Sequence, residues 1–235
     1  MSKINLREID RRAKQWDHPM KGLIKFSVAL KKERNNILKV GKKERELYCI
    51  SLTALALKND TNEDWWINIP ELDPPDGLVM TLSLERSNTL KGNAREVEVV
   101  EHRGQPDLLF ETVRNKMTEK SYDPDTILVC LVLSPAVYDF RSLAQKLISI
   151  NSSLKHIFVV FAGIPLEDAG SVIEKDLRSS FSMVQLVPSF LRTTFNLQSC
   201  LSDFEERYNL GQESRLIKDG QIFYGTTNSK FICKV

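Results

Sequence analysis

Five segments of the sequence decide the fold, and they read WWINI (65–69), GLVMTLSL (77–84), REVEVVEH (95–102), DLLFETVRNKMTE (107–119) and ILVCLVL (127–133). The first three are rich in β-branched and aromatic residues and are separated by polar turn residues, which is typical of a three-stranded meander. In the fourth segment apolar residues recur at helical spacing, whereas the fifth is apolar throughout, as in a strand covered on both faces. The pattern predicts three strands, a helix and a buried strand, in that order.

Periodicity extends this pattern in both directions along the chain. Before the meander, apolar spacing predicts a helix over 42–60, and the charged residues ahead of it predict helices over 5–17 and 21–38. After the buried strand we expect a helix over 139–150, a strand over 157–162, a helix over 167–179, a strand over 183–187, a helix over 199–208 and a hairpin in LIKDGQIFYG (216–225). This order predicts an α/β fold with a central mixed sheet flanked by helices on both faces.

Composition excludes several classes of protein. Hydrophobic residues make up 42% and charged residues 27% of the chain, which is the globular range. The longest apolar run is too short to cross a membrane, and the first residues, MSKINLREIDRR, lack the apolar stretch of a secretory signal. We therefore expect a cytoplasmic protein, or a nuclear one in a eukaryote, with no membrane partner. Four scattered cysteines without a CxxC pair disfavour a zinc site, and phosphate-binding loops and nucleophile elbows are absent from the sequence.

The charge of the chain is unevenly distributed. Residues 1–46 carry a balance of +8, whereas the remaining residues carry −6. Such asymmetry indicates a polyanion-binding end, although a solvated helix surface is an equally plain interpretation. The candidate nucleic-acid contacts cluster at the start of the predicted helix at 42–60, and they are Lys31, Lys32, Arg34, Lys39, Lys42, Lys43 and Arg45.

Three acidic residues of the meander are the candidates for chemistry. Asp76 lies just before the strand at 77–84, and Glu96 and Glu98 point to one face of the next strand. A hairpin between these strands could bring Asp76 next to Glu96. Carboxylates that converge either shift their pKa or bind a cation, and oxygen ligands suit Mg²⁺ or Mn²⁺. The alternative interpretation is an amphipathic strand with two solvated glutamates.

Pro75–Asp76 followed by Glu96–Val97–Glu98 resembles the PD-(D/E)xK motif of the restriction-endonuclease-like nuclease superfamily. The resemblance extends to the order of elements, because the family core is a helix, a three-strand meander, a helix and a strand. It implies that Asp76 and Glu96 are metal ligands and that Glu98 occupies the place of the motif lysine. The family also often adds a glutamate from the first core helix, here Glu46 or Glu44, and we prefer Glu46.

The replacement of the motif lysine leaves three alternatives open. Glu98 resembles the ExE variant of a minority of restriction enzymes, in which it would be a general base or a second metal ligand. Alternatively the lysine comes from elsewhere, and Lys116 on the following helix is the nearest candidate. A third alternative is that activity has been lost.

The resemblance implies a Mg²⁺-dependent endodeoxyribonuclease, similar to a type II restriction enzyme, with Mn²⁺ as an alternative metal. Cutting both strands of double-stranded DNA requires two sites, so a homodimer is expected. A nuclease-fold module that binds nucleic acid or protein without cleavage is the second hypothesis. The third is a doubly wound ligand-binding or regulatory domain with its site near Ser134 and Gly163.

We expect one domain over 1–235. In it a basic helical region (1–41) precedes a nuclease-like α/β core (42–190) and a C-terminal helix and hairpin (191–235).

Overall fold

A computed structural model shows an α/β protein. It describes residues 15–70, 75–84, 90–119, 121–134, 136–161, 180–210, 212, 214–218, 221–225 and 233–234. The helices of these ranges are α1 (Pro19–Lys32), α2 (Lys42–Thr61), α3 (Leu109–Thr118), α4 (Phe140–Ile148) and α5 (Leu197–Asn209), with short 3-10 turns at Ile37–Lys39 and Pro106–Leu108. The strands are β1 (Gln15–Asp17), β2 (Trp65–Asn68), β3 (Gly77–Leu84), β4 (Leu90–His102), β5 (Ile127–Val132), β6 (His156–Phe161), β7 (Ser180–Val187), β8 (Leu191–Asn196), β9 (Ser214–Lys218), β10 (Gln221–Gly225) and β11 (Cys233–Lys234).

All the strands of the described ranges belong to one mixed sheet, in the order β11-β10-β9-β1-β2-β3-β4-β5-β6-β7-β8. Strands β2, β3 and β4 form the expected antiparallel meander. Strand β5 then pairs parallel to β4, and β6 pairs parallel to β5, because α3 and α4 make the crossovers. The helix, meander, helix and strand that the sequence predicts are therefore consecutive in space as well as in the chain.

The central strands are covered on both faces, as the apolar run at 127–133 predicts. Alternate residues such as Val97 and Val129 join a core with α1 and α2, whereas Leu128 and Cys130 join a second core with α3 and α4. The helices thus lie on both sides of the sheet, which confirms the predicted layers.

A cluster of charged side chains joins helix α5 to α1 and α2. Asp203 Oδ2 lies 2.8 Å from Lys58 Nζ and 3.5 Å from His18 Nε2, so this one carboxylate joins α5, α2 and the residue that begins α1. Arg207 Nη2 lies 2.7 Å from Asp64 Oδ2, and its Nε lies 3.3 Å from Asp203 Oδ1. The C-terminal helix is therefore part of the same packed unit as α1 and α2.

Several predicted elements differ from the observed ones. Gln15–Asp17 form a strand, not the end of a helix, and residues 5–14 of that predicted helix lie outside the described residues. The helix predicted over 21–38 ends at Lys32, because Arg34 and Asn35 adopt positive φ angles that no helix accommodates. The sequence gives no clear signal for the strand at 191–196, and the helix predicted over 167–179 also falls outside the described residues.

None of the helices in the described ranges combines the length and the apolar composition that a membrane crossing requires.

Candidate active site

The register of the β3–β4 hairpin places Asp76 across from Glu98. Gly77 pairs with Val97, so the residue before Gly77 falls opposite the residue after Val97. Consistent with this register, Asp76 Oδ2 accepts a hydrogen bond of 2.7 Å from the backbone N–H of Val99. The prediction that the hairpin brings Asp76 next to Glu96 is therefore wrong by two residues, because Glu96 is paired with Leu78.

The start of β3 is held close to helix α2 by a glycine. A Cβ atom at Gly77 would collide with the Ile50 side chain of α2, so only glycine allows this approach. The contact fixes the backbone next to Asp76 against a rigid helix.

Glu98 is a buried acid with a lysine partner from the next helix. Its exposed fraction is 4%, and its Oε2 lies 3.3 Å from Lys116 Nζ of α3. Lys116 also lies 3.0 Å from Glu119 Oε2. A buried carboxylate is costly unless a charge or hydrogen-bond donor compensates it, and Lys116 supplies that compensation.

The electrostatics of the site act on both Asp76 and Lys116. Partial burial, together with the nearby Glu98 carboxylate, raises the pKa of Asp76, although the Val99 hydrogen bond and two lysines oppose this. Partial burial opposes the charge of Lys116, but the Glu119 hydrogen bond and the Glu98 carboxylate raise its pKa overall. Lys116 is therefore a cation at neutral pH, and Asp76 resists ionisation in the free protein.

Glu46 lies on α2 and is also buried. Its Oε1 is 3.0 Å from Lys42 Nζ, in the first turn of the same helix. The charge of Lys42 is one of the two that lower the pKa of Asp76, so Glu46, Lys42 and Asp76 share one neighbourhood. The i, i+4 spacing of Lys42 and Glu46 is the sequence signal for this ion pair.

The three predicted metal ligands do not converge as expected. Within the part of the chain that the structure describes, no three His, Cys, Asp or Glu side chains lie close enough together to hold a metal ion. The site instead offers Asp76 and Glu98 as a pair, whereas Glu46 is paired with Lys42. Two carboxylates fit Mg²⁺, which commonly takes one or two from the protein and completes its shell with water and substrate phosphate.

Glu96 lies on the same face of β4 as Glu98, one pleat further from Asp76, and its side chain is partly exposed. It is therefore two residues away from the register position that faces Asp76.

The basic candidates form a strip along the chain that is exposed and ends in the first turn of α2. The strip runs from the last turn of α1 through the 3-10 turn to the first turn of α2, and its members Lys31, Lys32, Arg34, Lys39, Lys42 and Lys43 are all exposed. Their neighbour Arg45 behaves differently, because it is buried and its Nε lies 2.6 Å from Glu101 Oε1. The exposed strip is available to bind a polyanion. Arg45 instead joins α2 to β4 through its ion pair with Glu101.

The alternative site after the parallel strands is only partly described. The Ser134 hydroxyl pairs with the Tyr138 hydroxyl, and His102 at the end of β4 contacts Thr112 Oγ1 at 2.9 Å and the Gln105 carbonyl oxygen at 3.1 Å. These contacts join the ends of the sheet strands to α3 and to the neighbouring loops. Gly163 lies outside the described residues.

Comparisons of the chain with models of protein families, with curated proteins and with solved structures find no match. The site is therefore interpreted from its own geometry.

Proposed function

We propose that this protein is a metal-dependent endonuclease with a restriction-endonuclease-like core made of α2, β2, β3, β4, α3 and β5. One observation carries the proposal: the hairpin register sets Asp76 against Glu98, and Lys116 reaches Glu98 from the following helix. Two carboxylates and a lysine at the junction of meander and helix are the groups that phosphodiester hydrolysis requires.

The register changes how the motif is interpreted. With Glu98 as the acid that opposes Asp76, the position of the motif lysine falls on Val100. Lys116 then supplies the ammonium from α3, as one of the alternatives from the sequence anticipated. In this interpretation Glu98 holds the metal, and it does not act as a general base.

Asp76 and Glu98 would hold Mg²⁺, or Mn²⁺ in its place. When bound, the metal supplies a nucleophilic water and a positive charge for the phosphate. Asp76 fits this task because its raised pKa reflects a carboxylate whose negative charge lacks full compensation. The backbone N–H of Val99 orients one oxygen of Asp76, which leaves the other for the ion.

Lys116 acts as a fixed cation and not as a base. Its raised pKa keeps it protonated at neutral pH, so it cannot take a proton from water. A protonated lysine can hold the attacking water or stabilise the negative charge that grows on the phosphate. Glu98 and Glu119 fix the position of its ammonium.

The substrate that this arrangement supports is double-stranded DNA. The exposed basic strip would neutralise backbone phosphates, and the charge of its member Lys42 helps to lower the pKa of Asp76. Cleavage of both strands would require two such sites, which supports the expectation of a homodimer.

The second candidate is a DNA-binding module that does not cleave. It is favoured by Val100 at the lysine position and by the lack of a third clustered acid among the described residues. It predicts DNA binding of equal strength with and without a divalent ion.

Cleavage of a long DNA substrate separates the two candidates. The protein is incubated with DNA and Mg²⁺, Mn²⁺ or EDTA, beside the Asp76→Asn variant. The nuclease proposal expects metal-dependent fragments that are absent with EDTA and with the variant. Fragments that persist in EDTA, or that the variant produces equally well, would overturn it, whereas metal-independent binding without fragments would establish the second candidate.

A further inference from the structure

A groove lies between α1, the first turns of α2 and the adjoining ends of β1 and β2. Its volume of about 650 Å³ is in the range of ligand-binding clefts. Its apolar lining consists of Ile24, Val28, Ala29, Leu47, Ile67 and Ile69. Ile24 and Val28 are 41% and 58% exposed, so the described part of the chain leaves much of their surface in water. A partner that covers them gains free energy by burying apolar surface.

The rim of the groove is positively charged. Lys25 and Lys32 line it from α1 and Lys43 lines it from α2, and all three are exposed. None of them forms a salt bridge with another described residue. A bound partner therefore meets three cations, placed on two sides of the groove, whose charge the described chain does not already compensate.

The acids of the groove do not cancel this charge. Asp17 Oδ1 lies 2.7 Å from Lys21 Nζ, so its carboxylate already has a cation. The Glu44 carboxylate lies beside Gly41, the residue that begins α2, where the helix dipole favours a negative charge. The groove is therefore complementary to a negatively charged partner with an apolar face.

The dimensions of the groove suit a helix. The part of α1 from Ile24 to Lys32 rises about 12 Å, at about 1.5 Å per residue. A partner helix with apolar residues at i, i+4 and i+7 places them on one face over a rise of about 10 Å. Such a helix lays its apolar face into the groove and keeps the acids that flank this face within reach of the rim.

We propose that this groove docks an acidic amphipathic helix of another protein. The apolar face of that helix covers Ile24 and Val28, and its carboxylates pair with the lysines of the rim. The proposal goes beyond the proposed function and uses neither the metal site nor cleavage.

Two other occupants fit the groove less well. A second copy of this chain that packed groove to groove would set the rim lysines against one another. DNA phosphates would pair with Lys32 and Lys43, which also belong to the basic strip, but a phosphate backbone offers no apolar surface to cover Ile24 and Val28. An acidic amphipathic helix satisfies both the apolar wall and the charged rim.

Peptide selection on the full chain tests the proposal. A phage-displayed library of peptides of about 16 residues, long enough to form a helix, is selected on the parent protein and depleted on Val28→Ser. We expect the surviving sequences to carry apolar residues at i, i+4 and i+7, with an excess of Asp and Glu beside them.

Matched variants separate the apolar and the charged parts of this recognition. Anisotropy of a labelled selected peptide should show about fivefold to twentyfold weaker binding to Val28→Ser, whereas Val137→Ser, at a valine that is 65% exposed outside the groove, should match the parent. Lys25→Gln should weaken binding about twofold to fivefold at low salt, and Lys155→Gln, at an exposed lysine outside the groove, should not. Val28→Ser should bind a labelled DNA duplex as the parent does.

The proposal is wrong if no selected sequence distinguishes the parent from folded Val28→Ser, or if the sequences that do so lack an excess of acidic residues. It is also wrong if Val28→Ser weakens binding of the DNA duplex as much as that of the peptide, because the groove then belongs to DNA. Sedimentation that shows a dimer of the parent dissociated by Val28→Ser would assign the groove to a second copy instead. None of these results depends on metal binding, so the proposed function is tested separately.

Discussion

Asp76, a candidate metal ligand, is a carboxylate whose charge works against stability. Its carboxyl is half-buried beside Glu98, and this raises its pKa. A raised pKa means that the folded protein disfavours the charged form, so ionised Asp76 destabilises the fold at neutral pH. Asparagine would remove the charge, and its side-chain oxygen could still accept the Val99 hydrogen bond.

We therefore predict that Asp76→Asn abolishes Mn²⁺ binding and at the same time raises the melting temperature at pH 7 by about 1–3 °C. The stability gain should disappear at acid pH, where Asp76 of the parent is itself protonated. Melting curves over a pH series check the sign, and a variant that melts lower than the parent at pH 7 would contradict it.

Substitutions of Lys116 test its proposed role as a charge-stabilising cation. Lys116→Met should lower the cleavage rate about 100-fold to 1,000-fold, as expected when a charge-stabilising group is lost, while Mn²⁺ still binds. Lys116→Arg keeps a cation and should retain part of the rate. The matched control is Glu119→Gln, because that residue is exposed and only helps to position Lys116. Equal losses in Lys116→Met and Glu119→Gln would argue against a direct role for Lys116.

The charged cluster around Asp203 contributes to the packing of helix α5 against α1 and α2. The hydrogen bond with His18 lowers the pKa of Asp203, burial opposes this, and Lys58 and Arg207 lower the pKa further. A lowered carboxyl pKa contributes stability above the ordinary value of 3.8, and that contribution is lost as the pH falls through the folded value.

Asp203→Asn should therefore reduce the free energy of unfolding by about 1 kcal/mol at pH 7, a value kept small because the cluster is partly exposed and screened by solvent. Urea unfolding measures this change. High salt and strongly acid pH should both shrink the difference, and Glu206→Gln, an exposed acid on the same helix, should change the free energy little. A loss that persists unchanged in strong acid would show that the effect is not electrostatic.

Elements in which apolar residues recur at a regular spacing were predictable from the sequence. The register between neighbouring strands was not. The alternation of Val97 and Val99 with Glu96 and Glu98 correctly gave β4 and its two faces. Which residue of β3 opposes Glu98 depends on how the hairpin closes and on the approach of Gly77 to Ile50, and neither leaves a periodic signal. The hairpin itself was therefore predicted correctly, but the residue of β4 expected to face Asp76 was displaced by two positions.

The short strand at Gln15–Asp17 was not predicted, because its pairing with other strands also leaves no periodic signal in the sequence. Gln15–Asp17 form a strand only because β2 and β9 pair with them on either side. Three residues carry too little pattern to distinguish a strand from the charged helix that was predicted. Lys116, in contrast, could be nominated from its spacing on α3, although its approach to Glu98 required the structure.

For the whole molecule, the uneven charge makes a measurable prediction. If the basic strip contacts DNA phosphates, affinity for a duplex should fall steeply with salt. Replacing both Lys39 and Lys43 by alanine should reduce the slope of log affinity against log salt by about 2, since each contact contributes about one counterion. Anisotropy of a labelled duplex over a salt series gives the slope, and Lys155→Ala, an exposed lysine outside the strip, serves as the control. An unchanged slope in the double variant would place the DNA elsewhere.

We propose that Asp76, Glu98 and Lys116 form one metal-dependent active site, set by the register of the β3–β4 hairpin. The cleavage rate of a long DNA substrate in Mg²⁺ tests this assignment when Glu98→Gln is compared with Glu96→Gln, two substitutions of the same kind one pleat apart. We expect Glu98→Gln to lower the rate at least about 100-fold and Glu96→Gln to lower it less than about tenfold. The reverse order, or full activity in Glu98→Gln, would show that this register does not set an active site.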